Sequence, residues 1–218
     1  MLGALAYIHS YLKQNRRPPD VAVFGVSRGS GAAILASVGN DAVKAVITDG
    51  AFSSDTILEH LMRRFATVFA RIRVVAENHP PVFWRFLRWL LFREYARRFR
   101  CRFPSVRQAV VRLGAKPMLL IHGEKDSYIP VAQSQALYDL ASGPKSLWIV
   151  PGAKHNLSVV LNPHAYGHRI VRFLDEHLAH VRRTVPITRT ASQELEVASS
   201  SFVPALAAAR LDPTPAGV

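Results

Sequence analysis

Short unbroken apolar runs alternate along this chain with stretches whose apolar residues recur at helical spacing. That order is the one a doubly wound α/β architecture produces. Residues 1–15 read as a helix with Leu2, Leu5, Ile8 and Leu12 on one face, closed by Asn15 and Arg16-Arg17-Pro18-Pro19-Asp20. Val21-Ala22-Val23-Phe24-Gly25-Val26 follows as a strand, and its nearly uninterrupted apolar character suits a parallel strand covered on both faces. Residues 29–38 read as a helix stopped by Gly39-Asn40, and 42–50 as the next strand, giving one right-handed crossover unit.

From about Ser53 to Arg112 the pattern turns helical, aromatic and basic, and His79-Pro80-Pro81 divides it into two halves. The alternation returns with a buried strand over 118–121, a turn opened by Gly123, and Asp126 just past the strand's carboxyl end. A helix over 129–140 carries Pro130 in its first turn, where proline is tolerated. Residues 147–150 make the last strand, 151–156 a loop bearing His155, and 165–182 the closing helix. Beyond about Thr184 the composition is that of a solvated, disordered tail, with a short helix expected over 202–211. The division is therefore a core of 1–52 and 113–183, a helical cap inserted over 53–112, and a tail over 184–218. No internal repeat is present.

Composition narrows the function classes. A chain of 218 residues, 49% apolar, is long enough for one domain with a real core. The single cysteine, Cys101, excludes an intramolecular disulfide framework and fits a reducing, cytoplasmic compartment. No apolar run reaches the ~20 residues that span a bilayer, and the first residues lack the basic start of a signal peptide. The net charge of +13 is concentrated: from Arg63 to Arg112 there are thirteen arginines against Glu77 and Glu94. No nucleic-acid module or base-stacking array accompanies them, so nucleic acid is not the expected partner. Within the basic block, 82–93 combines Phe83, Trp84, Phe86, Trp89 and Phe92 with Arg85, Arg88 and Arg93. Such a helix packs down as part of the cap or makes peripheral contact with a membrane, and the two readings are compatible.

The candidate chemistry begins at Gly25-Val26-Ser27-Arg28-Gly29, a Gly-x-Ser-x-Gly turn between strand and helix. In a nucleophile elbow the serine stands at the tip of a sharp turn, and side chains at Gly25 or Gly29 are expected to crowd the neighbouring strand or helix. Asp126 and His155 follow in the order serine, acid, histidine, each on a loop directly after a strand, so all three emerge at one sheet edge. This is the pattern of nucleophilic catalysis: histidine takes the serine proton, and the acid fixes the imidazole's tautomer. Asp49, at the end of the second strand, is a rival acid that fits less well. His164 and His168 have metal-site spacing but no evident third ligand, so no metal is expected. His122 reads as a packed turn residue.

These motifs resemble the α/β-hydrolase fold superfamily in four places: the elbow at Gly25–Gly29, the acid loop His122-Gly123-Glu124-Lys125-Asp126, the histidine loop Gly152-Ala153-Lys154-His155, and the insertion at 53–112. Within it the chain looks most like bacterial esterases, ABHD-type lipases, acyl-thioesterases and serine aminopeptidase-like enzymes. The resemblance covers residues 1 to about 182. It implies the later portion of a mostly parallel, doubly wound sheet and hydrolysis of an ester, thioester or peptide bond in a small acyl substrate through an acyl-enzyme, without metal or organic cofactor. The backbone N–H of Arg28 would supply half of an oxyanion hole, and Trp84 and Tyr128 are candidates for lining the acyl pocket. Members of the superfamily carry further strands before the elbow, and a loop among them donates the other half of the hole. Relative to that pattern the chain starts late, leaving the strand at 21–26 as a bare sheet edge. The alternative to a serine hydrolase is a catalytically impaired fragment, or a non-catalytic membrane- or protein-binding module that keeps the fold.

Overall fold

The apolar runs become four parallel strands in the computed structural model, which describes residues 1–69, 79–101 and 103–182. They are β1 (Val21–Val26), β2 (Val43–Asp49), β3 (Met118–Gly123) and β4 (Lys145–Val150), and they lie side by side in that order. Val23 stands opposite Val46, Val46 opposite Met118, and Met118 opposite Lys145. The connecting helices are α1 (Leu2–Gln14), α2 (Arg28–Ser37), α3 (Ser54–Phe69), α4 (Pro81–Phe99), α5 (Val106–Arg112), α6 (Val131–Leu140), α7 (Ser158–Leu161) and α8 (Pro163–Arg182). Parallel strands require crossovers, and each helix that makes one must bury an apolar stripe on the sheet.

Two apolar clusters result. Val23, Val46, Met118 and Leu120 meet Leu5 of α1, Ala33 and Ile34 of α2, Val110 of α5 and Leu137 of α6. In the other cluster Ala45, Ile47, Leu119, Ile121 and Val150 meet Tyr166 and Phe173 of α8. Cover is incomplete at the β1 edge. Phe24 and Val26 remain 45% and 41% exposed, so β1 is not buried on both faces as its composition suggested. α1 departs from expectation in the same way: Leu5 is buried and Leu12 half-buried, but Leu2 and Ile8 of the same stripe face solvent.

α3 packs against α4, and α4 runs past Arg93 to Phe99, where Arg100 turns left-handed at φ 49°. Pro81 falls in the first turn of α4, where its missing N–H costs nothing. α5, by contrast, belongs to the layer on the sheet. Its Val106, Ala109 and Val110 are core residues, and a Cβ at Gly31 of α2 would meet Val106 Cγ2 at 3.3 Å. Ser105 caps α5 by accepting the Gln108 N–H. β4 starts at Lys145, earlier than the apolar run, because edge positions Lys145 and Ser146 join the ladder while staying exposed.

Residues Met1–Ala179 form one compact unit, and the unit from His180 onward is described only to the end of α8. The tail over 184–218, with its expected helix at 202–211, lies outside the described residues. Among the described residues no helix is long and apolar enough to cross a membrane, and no group of three metal-ligating side chains is present.

Candidate active site

Because all strands run the same way, the loops after β1, β3 and β4 open at one edge of the sheet. Ser27 follows β1 directly and precedes α2, with φ 53° and ψ −118°. A serine at positive φ is strained, and such strain persists only where the surroundings hold it. Here the Ser27 N–H donates to the Asp49 carbonyl at 2.7 Å, and Ser30 Oγ donates to the Gly25 and Asp49 carbonyls at 2.8 and 3.0 Å. The turn is tight enough that a Cβ at Gly25 would stand 2.3 Å from the Gly29 carbonyl oxygen. The crowding belongs to Gly25 alone. A Cβ at Gly29 would meet nothing within 4 Å, because that direction points into open space at the start of α2.

Ser27 Oγ makes no cap to α2 and is instead 2.9 Å from His155 Nε2. His155 Nδ1 is in turn 2.5 Å from Asp126 Oδ2. A carboxylate can only accept, so Nδ1 carries the proton and Nε2 is left to accept from the serine hydroxyl. Asp126 is fixed from its other side: Oδ1 accepts the N–H groups of Tyr128 and Ile129, both at 2.9 Å. The carboxyl group is 1% exposed and the imidazole 17%. Such charge-assisted bonds in a nearly dry setting are the strong ones.

His122, fully buried at the end of β3, supports this arrangement from below. Its Nε2–H donates to the Ile129 carbonyl at 2.9 Å and lies 3.6 Å from Asp126 Oδ2. Its Nδ1 is 2.7 Å from Ser134 Oγ, which also reaches the Ala51 carbonyl at 3.0 Å. A neutral ring takes the Ser134 hydrogen, whereas a protonated ring frees it for Ala51.

The rival acid, Asp49, serves a different set of partners. It is 2% exposed, and its carboxyl accepts from Ser158 Oγ at 3.3 Å and Tyr166 Oη at 3.0 Å. Burial pushes its pKa above the usual 3.8, against the two hydroxyls and the fields of His122 and His155. Burial and the neighbouring Asp49 also push the Tyr166 phenol up. Asp49 thus ties the short helix after the histidine loop, and α8, to the end of β2.

Two glycines let the histidine loop settle. A Cβ at Gly123 would stand 2.5 Å from the Ala153 carbonyl oxygen and 2.8 Å from that of Lys154. Gly50, at φ 64°, lies under the His155 ring, with the site of its missing Cβ 3.3 Å from Cε1. The other sequence candidates divide. The Tyr128 ring is 5.8 Å from the His155 ring and largely exposed. Trp84 is buried, and its described ring contacts are Phe83, His79 and Arg63 rather than Ser27, Asp126 or His155. Arg28 is the first residue of α2, so its N–H is among those with no acceptor inside the helix. Asp49's ties and the Gly123 contact were not found by sequence reading. Gly123 offered only a turn signal, and nothing in the sequence pairs Tyr166 with a residue 117 positions away.

No protein-family model matches the chain. Uncharacterized protein YqkD of Bacillus subtilis is 40% identical over 67 residues, 31% of this chain and 22% of that protein. The α/β hydrolase domain-containing protein aho-3 of Caenorhabditis elegans is 37% identical over 91 residues, 41% of this chain and 26% of its own length. The chain spans less than half the length of the curated relatives it matches. Among solved structures, the Pyrococcus furiosus esterase Pf2001 superposes with a TM-score of 0.54 at 19% identity, over 81% of this chain and 61% of that one. With its parallel sheet flanked by helices and a strand–Ser27–helix elbow at the edge, the chain has the α/β-hydrolase fold.

Proposed function

We propose that this chain is a serine hydrolase that cleaves a carboxylic ester, thioester or related acyl bond through an acyl-enzyme. The observation that carries the reading is the hydrogen-bonded line from Ser27 Oγ through His155 to Asp126. As Oγ attacks the substrate carbonyl, His155 Nε2 takes its proton, and Asp126 steadies the imidazolium. The oxyanion develops beside the start of α2, where the Arg28 N–H and the helix dipole favour negative charge. The imidazolium then protonates the leaving alcohol or thiol. Water, deprotonated by the same Nε2, attacks the acyl-serine, and the imidazolium returns that proton to Ser27 Oγ as the bond to the acyl group breaks and the acid leaves. None of these steps calls for a metal or organic cofactor. Support also comes from the Pyrococcus furiosus neighbour, which is named an esterase.

In this reading Tyr128, exposed and 5.8 Å from the His155 ring, would touch the substrate, and Trp84, the other pocket candidate, packs with Phe83 and Arg63. The test is turnover of p-nitrophenyl esters of graded acyl length and of the matching thioesters, by wild type, Ser27→Ala and His155→Ala. Hydrolysis lost in both variants supports the assignment. Equal hydrolysis by Ser27→Ala overturns it.

A further inference from the structure

We infer that α4 docks on an anionic membrane surface, with its first half entering the interface and its second half holding lipid headgroups. The inference stands apart from the chemistry proposed for Ser27. It begins with helix geometry: successive residues turn by about 100°, so Val82, Phe86, Trp89 and Leu90 share one side of α4, Arg93 and Arg97 continue that side, and the exposed Arg100 follows at its end. The opposite side meets the protein, with Trp84 buried and Leu87, Leu91 and Phe92 half-buried. Val82, Phe86, Trp89 and Leu90 are instead 61%, 56%, 51% and 44% exposed. Four large apolar side chains left in water on one stripe are what a soluble surface avoids unless something covers them.

The chemistry of the cover is set by charge. Phe86 stacks on Trp89 at 5.9 Å, and the Arg93 guanidinium lies 5.3 Å from the Trp89 ring centre. That makes an aromatic wedge with a cation at its rim. Along α4 there are five arginines, Arg85, Arg88, Arg93, Arg97 and Arg98, against Glu94 alone. Arg88 is engaged with Glu59 and the Asp55 carbonyl, so it braces α4 on α3 rather than facing outward. Among the described residues Arg85, Arg93, Arg97 and Arg98 have no carboxylate partner, and a protein partner would have to bring a matching acidic surface around an apolar centre. An anionic bilayer supplies both at once, because aromatic rings settle at the headgroup boundary while guanidinium groups pair with phosphate. The wedge is too short to cross the bilayer, so it lies on it.

The test uses the full chain and sedimentation with vesicles of phosphatidylcholine alone or with three tenths phosphatidylserine, at low and at physiological salt. Binding is expected to the anionic vesicles and not to the neutral ones. Phe86→Ser with Trp89→Ser should abolish it. An arginine near an anionic surface changes partitioning about fivefold, so Arg93→Gln, Arg97→Gln and Arg100→Gln together should weaken binding on the order of a hundredfold. All of these positions are exposed, and circular dichroism checks that each variant is folded. Three results overturn the inference: no sedimentation of wild type with anionic vesicles at low salt; sedimentation unchanged by the aromatic pair, which would mark mere adsorption of a basic chain; or a dimer that the aromatic pair dissociates without any vesicle binding, which would make a second copy the cover.

Discussion

Replacing Gly123 by alanine probes how the histidine is positioned, because Gly123 contacts its loop without being part of the reaction. An alanine Cβ would stand 2.5 Å from the Ala153 carbonyl oxygen and 2.8 Å from that of Lys154. Ordinary contact begins near 3.4 Å, and both neighbours are backbone, so no flexible side chain can yield. The loop must retreat by roughly 1 Å, a displacement that costs on the order of a hundredfold in rate when it falls on a positioned catalytic group. His155 Nε2 now stands 2.9 Å from Ser27 Oγ, and the same retreat takes the pair beyond hydrogen-bonding range. Overpacking of this kind also costs about 1–3 kcal/mol of stability. Urea unfolding and p-nitrophenyl ester turnover measure the two effects separately. A Gly123→Ala variant with an unchanged unfolding midpoint and turnover within twofold of wild type would refute the close-approach reasoning.

Other expectations follow from neighbouring contacts. Gly25→Ala should lose turnover and several kcal/mol of stability, since its Cβ meets the Gly29 backbone, as overpacking against an unyielding helix requires. Gly29→Ala should be neutral or more stable by about 0.5–1 kcal/mol, since it removes a helical glycine without a clash; equal destabilisation of the two variants in thermal unfolding would be against this reading of the elbow. Asp49 provides a pH test. Burial raises its folded pKa above 3.8, so between those values the native state holds a proton that the unfolded chain has released. Its contribution to stability therefore falls as pH rises from 3.8 through the folded pKa and is level above it. Asp49→Asn removes that fall, and its stability relative to wild type should climb over the same window in urea titrations at stepped pH. A constant difference would show that the carboxyl is not raised.

How far the sequence discloses this site depends on the range of the contacts involved. Ser27, Asp126 and His155 were legible because each directly follows an apolar strand, and parallel strands place such loops at a common edge. Asp126, which the sequence favours over Asp49, is the carboxyl hydrogen-bonded to His155, and the turn after Gly123 presents it to two successive N–H groups. What stayed hidden rests on packing between distant segments. Gly29 looks like Gly25 in the motif, yet only the fold shows which direction is blocked. The stripe of α1 promises a buried face, but of its four residues Leu5 alone joins the core cluster, with Leu12 half-buried. α5 carries the basic character of the insertion while packing as core, because its Val106 and Val110 meet α2 and the sheet. The tie from Asp49 to Tyr166 joins residues with no shared local pattern.

The central claim, that Ser27 is a nucleophile activated by His155, is tested most directly by treating the folded chain with a fluorophosphonate and mapping the adduct by mass spectrometry. One phosphonyl group on Ser27 is expected, absent in Ser27→Ala and formed far more slowly in His155→Ala. A folded chain that takes up no phosphonyl group, or a Ser27→Ala variant labelled as readily as wild type, contradicts it.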